Sequence, residues 1–251
     1  MPHEARKKSE SGYYHVVPKG IADQILFLDD ADRELYVRLL ADASKAVDVL
    51  VHAYCLMSNH VHLVMEDPND ELSGFMKYVG ERYAMHFAEK TGRRGGVFRK
   101  PFWSEPIKSN EHLLSAVRYV HANPAAAGIC SAKDYSWSSM HDYLGKRNGL
   151  AHTATILDMC GGVEGFLQFS DASNDTAAPF PGSRLRAHLS DDEAAVIMRH
   201  ILGDSLDLNL SRYSLEIRRQ AVAKLLDRGF STTRIARICG VSQSFASRCA
   251  E

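Results

Sequence analysis

An α+β fold is what this sequence predicts: a ferredoxin-like sandwich, a central antiparallel sheet with helices packed on it, followed by a small all-α module. Three observations predict it. β-prone stretches and stretches of 3.6-residue period follow one another in the order βαββαβα. Two of the strands are joined by only a polar dipeptide, Ser58-Asn59, as antiparallel neighbours are. Past residue 210 the chain turns helical and basic, with 8 Lys and Arg against 3 Asp and Glu.

Tyr13 to Val17 is β-prone, and Asp29 to Val47 opens on acidic cap residues and carries Leu35, Leu39 and Leu40 at helical spacing. Val49 to Met57 and His60 to Met65 read as the hairpin-joined strands. From Leu72 to Phe87 the apolar positions Leu72, Phe75, Met76, Val79, Tyr83 and Phe87 form one face of a helix, which Thr91-Gly92-Arg93-Arg94-Gly95-Gly96 ends. Val97 to Ile107 is extended. Ser109-Asn110-Glu111 caps a helix over His112 to Ala122, and Asn123-Pro124 is expected to stop it. A short helix is expected within Trp137 to Leu144. The helices are expected on one face of the sheet, in a domain over 1–145. Residues 146–210 read as an acidic linker with room for helices, most open between Gly161 and Ser190, and 211–251 as a separate module.

Composition bounds the function. The formal charge is -1, with 24% charged and 45% hydrophobic residues, ordinary for a soluble globular protein. No apolar run reaches the ~18 residues of a membrane span, and Met1 to Gly12 lacks the apolar stretch of a secretory signal. A cytoplasmic protein without a membrane partner is expected. Five scattered cysteines, none in a C-x-x-C pair, read as buried reduced thiols. The small net charge conceals two basic patches, the tail and the segment holding Arg93, Arg94, Arg99, Lys100 and Lys108, which point to specific sites for a polyanion.

The candidate chemistry lies in two short segments. In Ser58-Asn59-His60-Val61-His62-Leu63-Val64, positions i and i+2 of a strand share a face with Cα atoms about 6.5–7 Å apart. His60 and His62 can therefore converge on one divalent ion while Val61, Leu63 and Met65 pack behind them. In Tyr119-Val120-His121-Ala122-Asn123, positions i and i+4 of a helix share a face, so the Tyr119 phenol and the Asn123 carboxamide project together. Either segment alone has a bland reading: a hydrogen-bonded histidine pair, or a half-buried tyrosine beside a capping asparagine.

Together these residues resemble the single-tyrosine HUH transposases, in particular the kind associated with repetitive extragenic palindromes. The matching segments run in order: Tyr14-His15-Val16 with Ile25 to Asp30, Met57 to Val64, Val97-Phe98-Arg99 leading to Phe102-Trp103, Arg118 to Pro124, and Tyr135 to Ser139. The resemblance covers about Gly12 to Leu144. It implies His60, His62 and Asn123 as metal ligands and Tyr119 as nucleophile, with Mg²⁺ or Mn²⁺ as the cofactor. It implies that Tyr119 attacks a phosphodiester to leave a 5′-phosphotyrosine and a free 3′ hydroxyl, so the strand can be rejoined without ATP. The family commonly continues Val-Arg-Ala-Gly after Asn-Pro. Here Ala125-Ala126-Ala127-Gly128 supplies no arginine for that contact.

The reading is thus a metal-dependent endonuclease and strand transferase on hairpin or palindromic single-stranded DNA, with a homodimer as the assembly to test for. Arg93, Arg94, Arg99 and Lys100 are expected on the DNA, and the interleaved Phe98, Phe102 and Trp103 in the core. A surface role is expected for His112, seven residues before Tyr119. In the tail, Ser231 and Ser242 cap two helices around a Gly240-Val241 turn, the pattern of a helix-turn-helix. That pattern would present Gln243, Ser244, Ser247 and Arg248 to a major groove. The competing readings are a catalytically silent DNA-binding regulator and a rolling-circle initiator or relaxase. Retention of all four catalytic residues argues against the first, and the short chain without a helicase region against the second.

Overall fold

The computed structural model describes residues 6–92, 95–127, 129–147, 149–171, 195, 198, 199, 201–203, 206–228 and 230–249. Strands β1 (Tyr13–Val17), β2 (Leu50–Leu56), β3 (Val61–Glu66) and β4 (Trp103–Pro106) form one antiparallel sheet of order β2-β3-β1-β4. Helix α1 (Asp30–Ala46) joins β1 to β2, and α2 (Leu72–Thr91) joins β3 to β4. This is the ferredoxin-like βαββαβ arrangement. Helix α3 (Asn110–Ala126) follows it.

The sheet is covered on both faces, not on one as the sequence predicts. Val16, Val51, Tyr54, Leu56, Val61, Leu63 and Met65 face α1 and α2 in a first core. Ala53, Cys55 and Val64 point the other way, into a second core with Leu113, Ala116, Val117 and Val120 of α3. Near-continuous apolar runs such as those of β2 and β3 are what a strand buried on both sides requires, and in them the alternation that marks a solvated face is lost.

The start of α1 ties the first layer together. Asp29 caps the helix in a reciprocal capping box with Asp32. Asp32, fully buried, also accepts from the Leu28 N–H at 2.7 Å and, on α2, from His86 Nε2 and Lys90 Nζ, both at 2.7 Å.

Helix α3 runs through Pro124, where a stop is expected. Proline removes the N–H that would serve the Val120 carbonyl. The Asn123 Nδ2 group takes over nearby, donating to the Tyr119 carbonyl at 2.7 Å and reaching that of Val120 at 3.4 Å. The helix continues to Ala126.

The packed unit also extends past Gly145. A short α4 (Met140–Tyr143) is followed by α5 (Ala154–Cys160) and α6 (Val163–Asp171), whose Ile156 and Phe166 are fully buried in the second core. The expected open linker is therefore helical up to Asp171, and 172–194 lie outside the described residues. Cys55 and Cys239 are buried as read, whereas Cys130, Cys160 and Cys249 are partly exposed. All five are free thiols.

The tail forms α7 (Leu215–Asp227), α8 (Thr232–Cys239) and α9 (Gln243–Arg248). Ser214, Ser231 and Ser242 each accept a backbone N–H as helix caps, and Gly240 ends α8 at φ 64°, a left-handed conformation natural to glycine. Ala221, Leu225, Ile235 and Ala246 are buried in continuity with the first core, and Arg228 reaches Asp30 of α1 at 3.3 Å. No described helix is long and apolar enough to cross a membrane.

Candidate active site

His60 lies at the entry to β3, bridged to Lys19 beyond the end of β1. Its Nδ1 is 2.7 Å from Asn59 Oδ1, which makes Nδ1 the donor and leaves an Nε2 lone pair. That Nε2 is 3.1 Å from Nε2 of His62. Two imidazole nitrogens bound at right angles to one ion, at about 2.1–2.2 Å each, would be about 3 Å apart. The spacing therefore suits a shared divalent cation.

Behind His62 stands a residue that sequence reasoning passed over. His15 on β1 is fully buried, and its Nε2 is 3.1 Å from His62 Nδ1, with the two rings within 21° of coplanar. It pairs across the ladder with Val64, so the diagonal neighbour two residues back is His62 on the same face. Burial, then His112 and His60, push the His15 pKa down to about 3. Burial, then His60 and His15, hold His62 well below the ordinary imidazole range, with a hydrogen bond to Asn123 opposing. Both rings are neutral at pH 7. The available signal was the strand alternation of β1, which sets His15 opposite the apolar Tyr14 and Val16.

Tyr119 closes the cluster from α3. Its ring stands at 90° to His62, 5.4 Å between centroids, and at 75° to His15, 5.7 Å away. Trp103 of β4 packs edge-on against the other side of His15 at 5.2 Å. Asn123, one turn after Tyr119, has its Nδ2 committed to the helix carbonyls, so its Oδ1 is the atom left to face His62. The structure thus brings His60, His62, Tyr119 and Asn123 of one chain together. Among the described residues no three His, Cys, Asp or Glu side chains form a metal-holding group. The donor set is two imidazole nitrogens and a carboxamide oxygen, a chemistry that fits a divalent ion.

Of the other predicted residues, Trp103 packs on His15 and His112 acts on it electrostatically, and none of them joins the ligand set. Arg99 and Lys100 are exposed on the segment leading into β4, while Arg93 and Arg94 lie outside the described residues. Phe98 and Phe102 pack against the first core and Trp103 against the second, half-buried rather than fully enclosed. His112 accepts from the Lys108 N–H at 3.3 Å at the start of α3. Gln243, Ser244, Ser247 and Arg248 are exposed on α9, where Gln243 also donates to Thr233 Oγ1 at 3.0 Å.

A family model described as "Transposase IS200 like" matches residues 8–123. Among solved structures, the chain is similar to a REP-associated tyrosine transposase bound to a REP hairpin. The match has a TM-score of 0.51 and 13% sequence identity, and covers 58% of this chain and 87% of the other. At that identity the likeness is one of fold. No curated protein matches the chain.

Proposed function

From the premise that this chain belongs, over residues 8–123, to the IS200-like transposase family, we propose that it nicks and rejoins single-stranded DNA with Tyr119 as nucleophile. The family gives a DNA-processing transposase. The site geometry supports the finer reading, and one observation carries it: the Tyr119 ring stands at 90° to His62, 5.4 Å between centroids, and His62 Nε2 is in turn 3.1 Å from His60 Nε2, all within one chain.

His60, His62 and Asn123 would hold Mg²⁺ or Mn²⁺. When bound, the ion supplies positive charge to a nonbridging oxygen of the anionic phosphodiester. The protein's own groups do the rest. Tyr119 is positioned on a packed helix, and its oxygen forms the new bond to phosphorus as the bond to the 3′ oxygen breaks. The phenol proton is lost, and the departing 3′ oxygen gains one. The 5′ phosphate stays on Tyr119 until a 3′ hydroxyl attacks in return. His15 accepts the Nδ1 proton of His62 and so keeps the His62 Nε2 lone pair turned toward the site.

Hairpin DNA is the proposed partner, since the similar solved transposase is bound to a REP hairpin. We read α8 and α9 as a helix-turn-helix that adds affinity through Gln243, Ser244, Ser247 and Arg248, and Arg93, Arg94, Arg99 and Lys100 as phosphate contacts. The test is incubation with REP-type hairpins bearing single-stranded flanks and Mn²⁺ or Mg²⁺. A denaturation-resistant protein–DNA adduct is expected, lost in Tyr119→Phe with binding retained. An adduct that persists in Tyr119→Phe overturns the assignment.

A further inference from the structure

A cavity of about 460 Å³ lies between α2 and the segment that leads into β4, outside the histidine cluster. Its walls are apolar: Met76 and the bare backbone of Gly80 on α2, and Phe98, Pro101 and Phe102 opposite. Lys77, Arg99 and Lys100, all exposed, line it as well. Greasy, aromatic walls edged by three cations match a planar heterocycle whose attached backbone is anionic. A free phosphate would be held by the cations but would gain nothing from the walls. Glu81, the one carboxylate among the described residues lining the cavity, disfavours an anion inside it while being able to accept from a base amino group.

Position strengthens the argument. The Arg99 N–H donates to the Lys19 carbonyl at 2.7 Å, Phe98 bridges to Gly20, and Lys19 in turn bridges to His60. The cavity wall is thus two strand spacings, roughly 10 Å, from the backbone of His60. A strand whose reacting phosphate lies at the histidine pair would bring a nucleotide two or three positions away to this opening, at about 3.4 Å per stacked nucleotide.

We propose that this cavity holds one unpaired nucleobase of the DNA strand, extruded from its neighbours, with Lys77, Arg99 and Lys100 on the flanking phosphates. The proposal rests on the reading of the chain as a single-strand DNA enzyme and adds to it a subsite that fixes which phosphate meets Tyr119.

Gly80 offers a clean block. A Cβ there would meet Phe98 Cδ2 at 3.8 Å, an ordinary contact, so a side chain is accepted and is directed against the aromatic wall. Exchanging a mid-helix glycine also favours the helix. The probe is a hairpin oligonucleotide with single-stranded flanks, in two forms: carrying 5-iodouracil for photo-crosslinking, and carrying an abasic site stepped through the flanks. In the wild type one abasic position should weaken binding about tenfold. The crosslink should map to 76–84 or 97–102. Gly80→Leu should lose that crosslink, erase the abasic effect and spread the Tyr119 adduct over neighbouring phosphates, while its thermal melt remains. Gly80→Ala should lie between the two. An abasic scan that is flat in the wild type overturns the subsite while leaving the nuclease reading intact, as does a Gly80→Leu protein that crosslinks like wild type. A change in sedimentation on Gly80→Leu without any change in DNA contact would assign the cavity to self-association instead. A wild type that neither binds the probe nor forms an adduct overturns both.

Discussion

Two buried histidines illustrate what a single side chain contributes here. His15 is none of the predicted ligands, yet it occupies the one ring nitrogen whose protonation decides whether His62 offers a lone pair. Replacing it with phenylalanine keeps the packing against Trp103 and Tyr119 but removes the acceptor. Mn²⁺ affinity is expected to fall about tenfold or more, measured by calorimetry. The ¹⁵N shifts of His62 should show a smaller Nδ1–H population, and His15→Gln should recover part of both. His121 differs in kind. Fully buried, it meets Ser139 Oγ at 2.7 Å, and burial pushes its pKa down to about 3. The unfolded chain then binds a proton that the fold refuses, so this histidine favours the fold above pH 6.5 and loses that advantage as pH falls toward 3. The expected slope is up to about 1.4 kcal/mol per pH unit in that window. Urea midpoints at pH 7 and pH 5 should differ less in His121→Phe than in wild type.

At the level of elements, the weight falls on helix starts and on one proline. Asp32 serves the α1 cap and the His86 and Lys90 side chains of α2 at once. Asp32→Ala should lower stability by about 3 kcal/mol, read from the urea midpoint, while the surface pair Arg38–Glu34, at 3.8 Å, should contribute little. Several elements were legible from the chain: α2 from its apolar face, β3 from a β-rich run following the Ser58-Asn59 connection, and the tail helices from Ser231, Gly240 and Ser242. Three features were not. The double burial of β2 and β3 erases the alternation that would have shown a second layer. Pro124 reads as a terminator because the side chain that compensates it, Asn123, is non-backbone and adjacent. The burial of Ile156 and Phe166 depends on contacts with α3 thirty or more residues earlier, which no local pattern encodes. Among site residues, His60, His62, Tyr119 and Asn123 followed from spacing with a resemblance, whereas His15 needed the β1–β3 register.

Across the whole molecule, the sheet with its helices and the tail share a continuous apolar interior, and Arg228 meets Asp30 at their junction. If the tail supplies affinity rather than chemistry, Arg248→Ala should weaken DNA binding and lower the slope of log K against log salt by about 1. Adduct formation at saturating DNA should stay at its wild-type rate. Fluorescence anisotropy at several salt concentrations separates the two effects.

The β2 rim of the sheet is already sealed from within. Leu56 donates to the Trp137 carbonyl, Tyr54 and Ser139 exchange bonds, Tyr143 reaches the His52 carbonyl, and the His152 N–H meets Val51. A foreign polypeptide seeking to extend the sheet finds those groups taken on one flank, and on the other a β4 of only four residues. Edge-to-edge pairing along β2 is thereby disfavoured, and strand-swapped aggregates should be scarce even when the protein is concentrated.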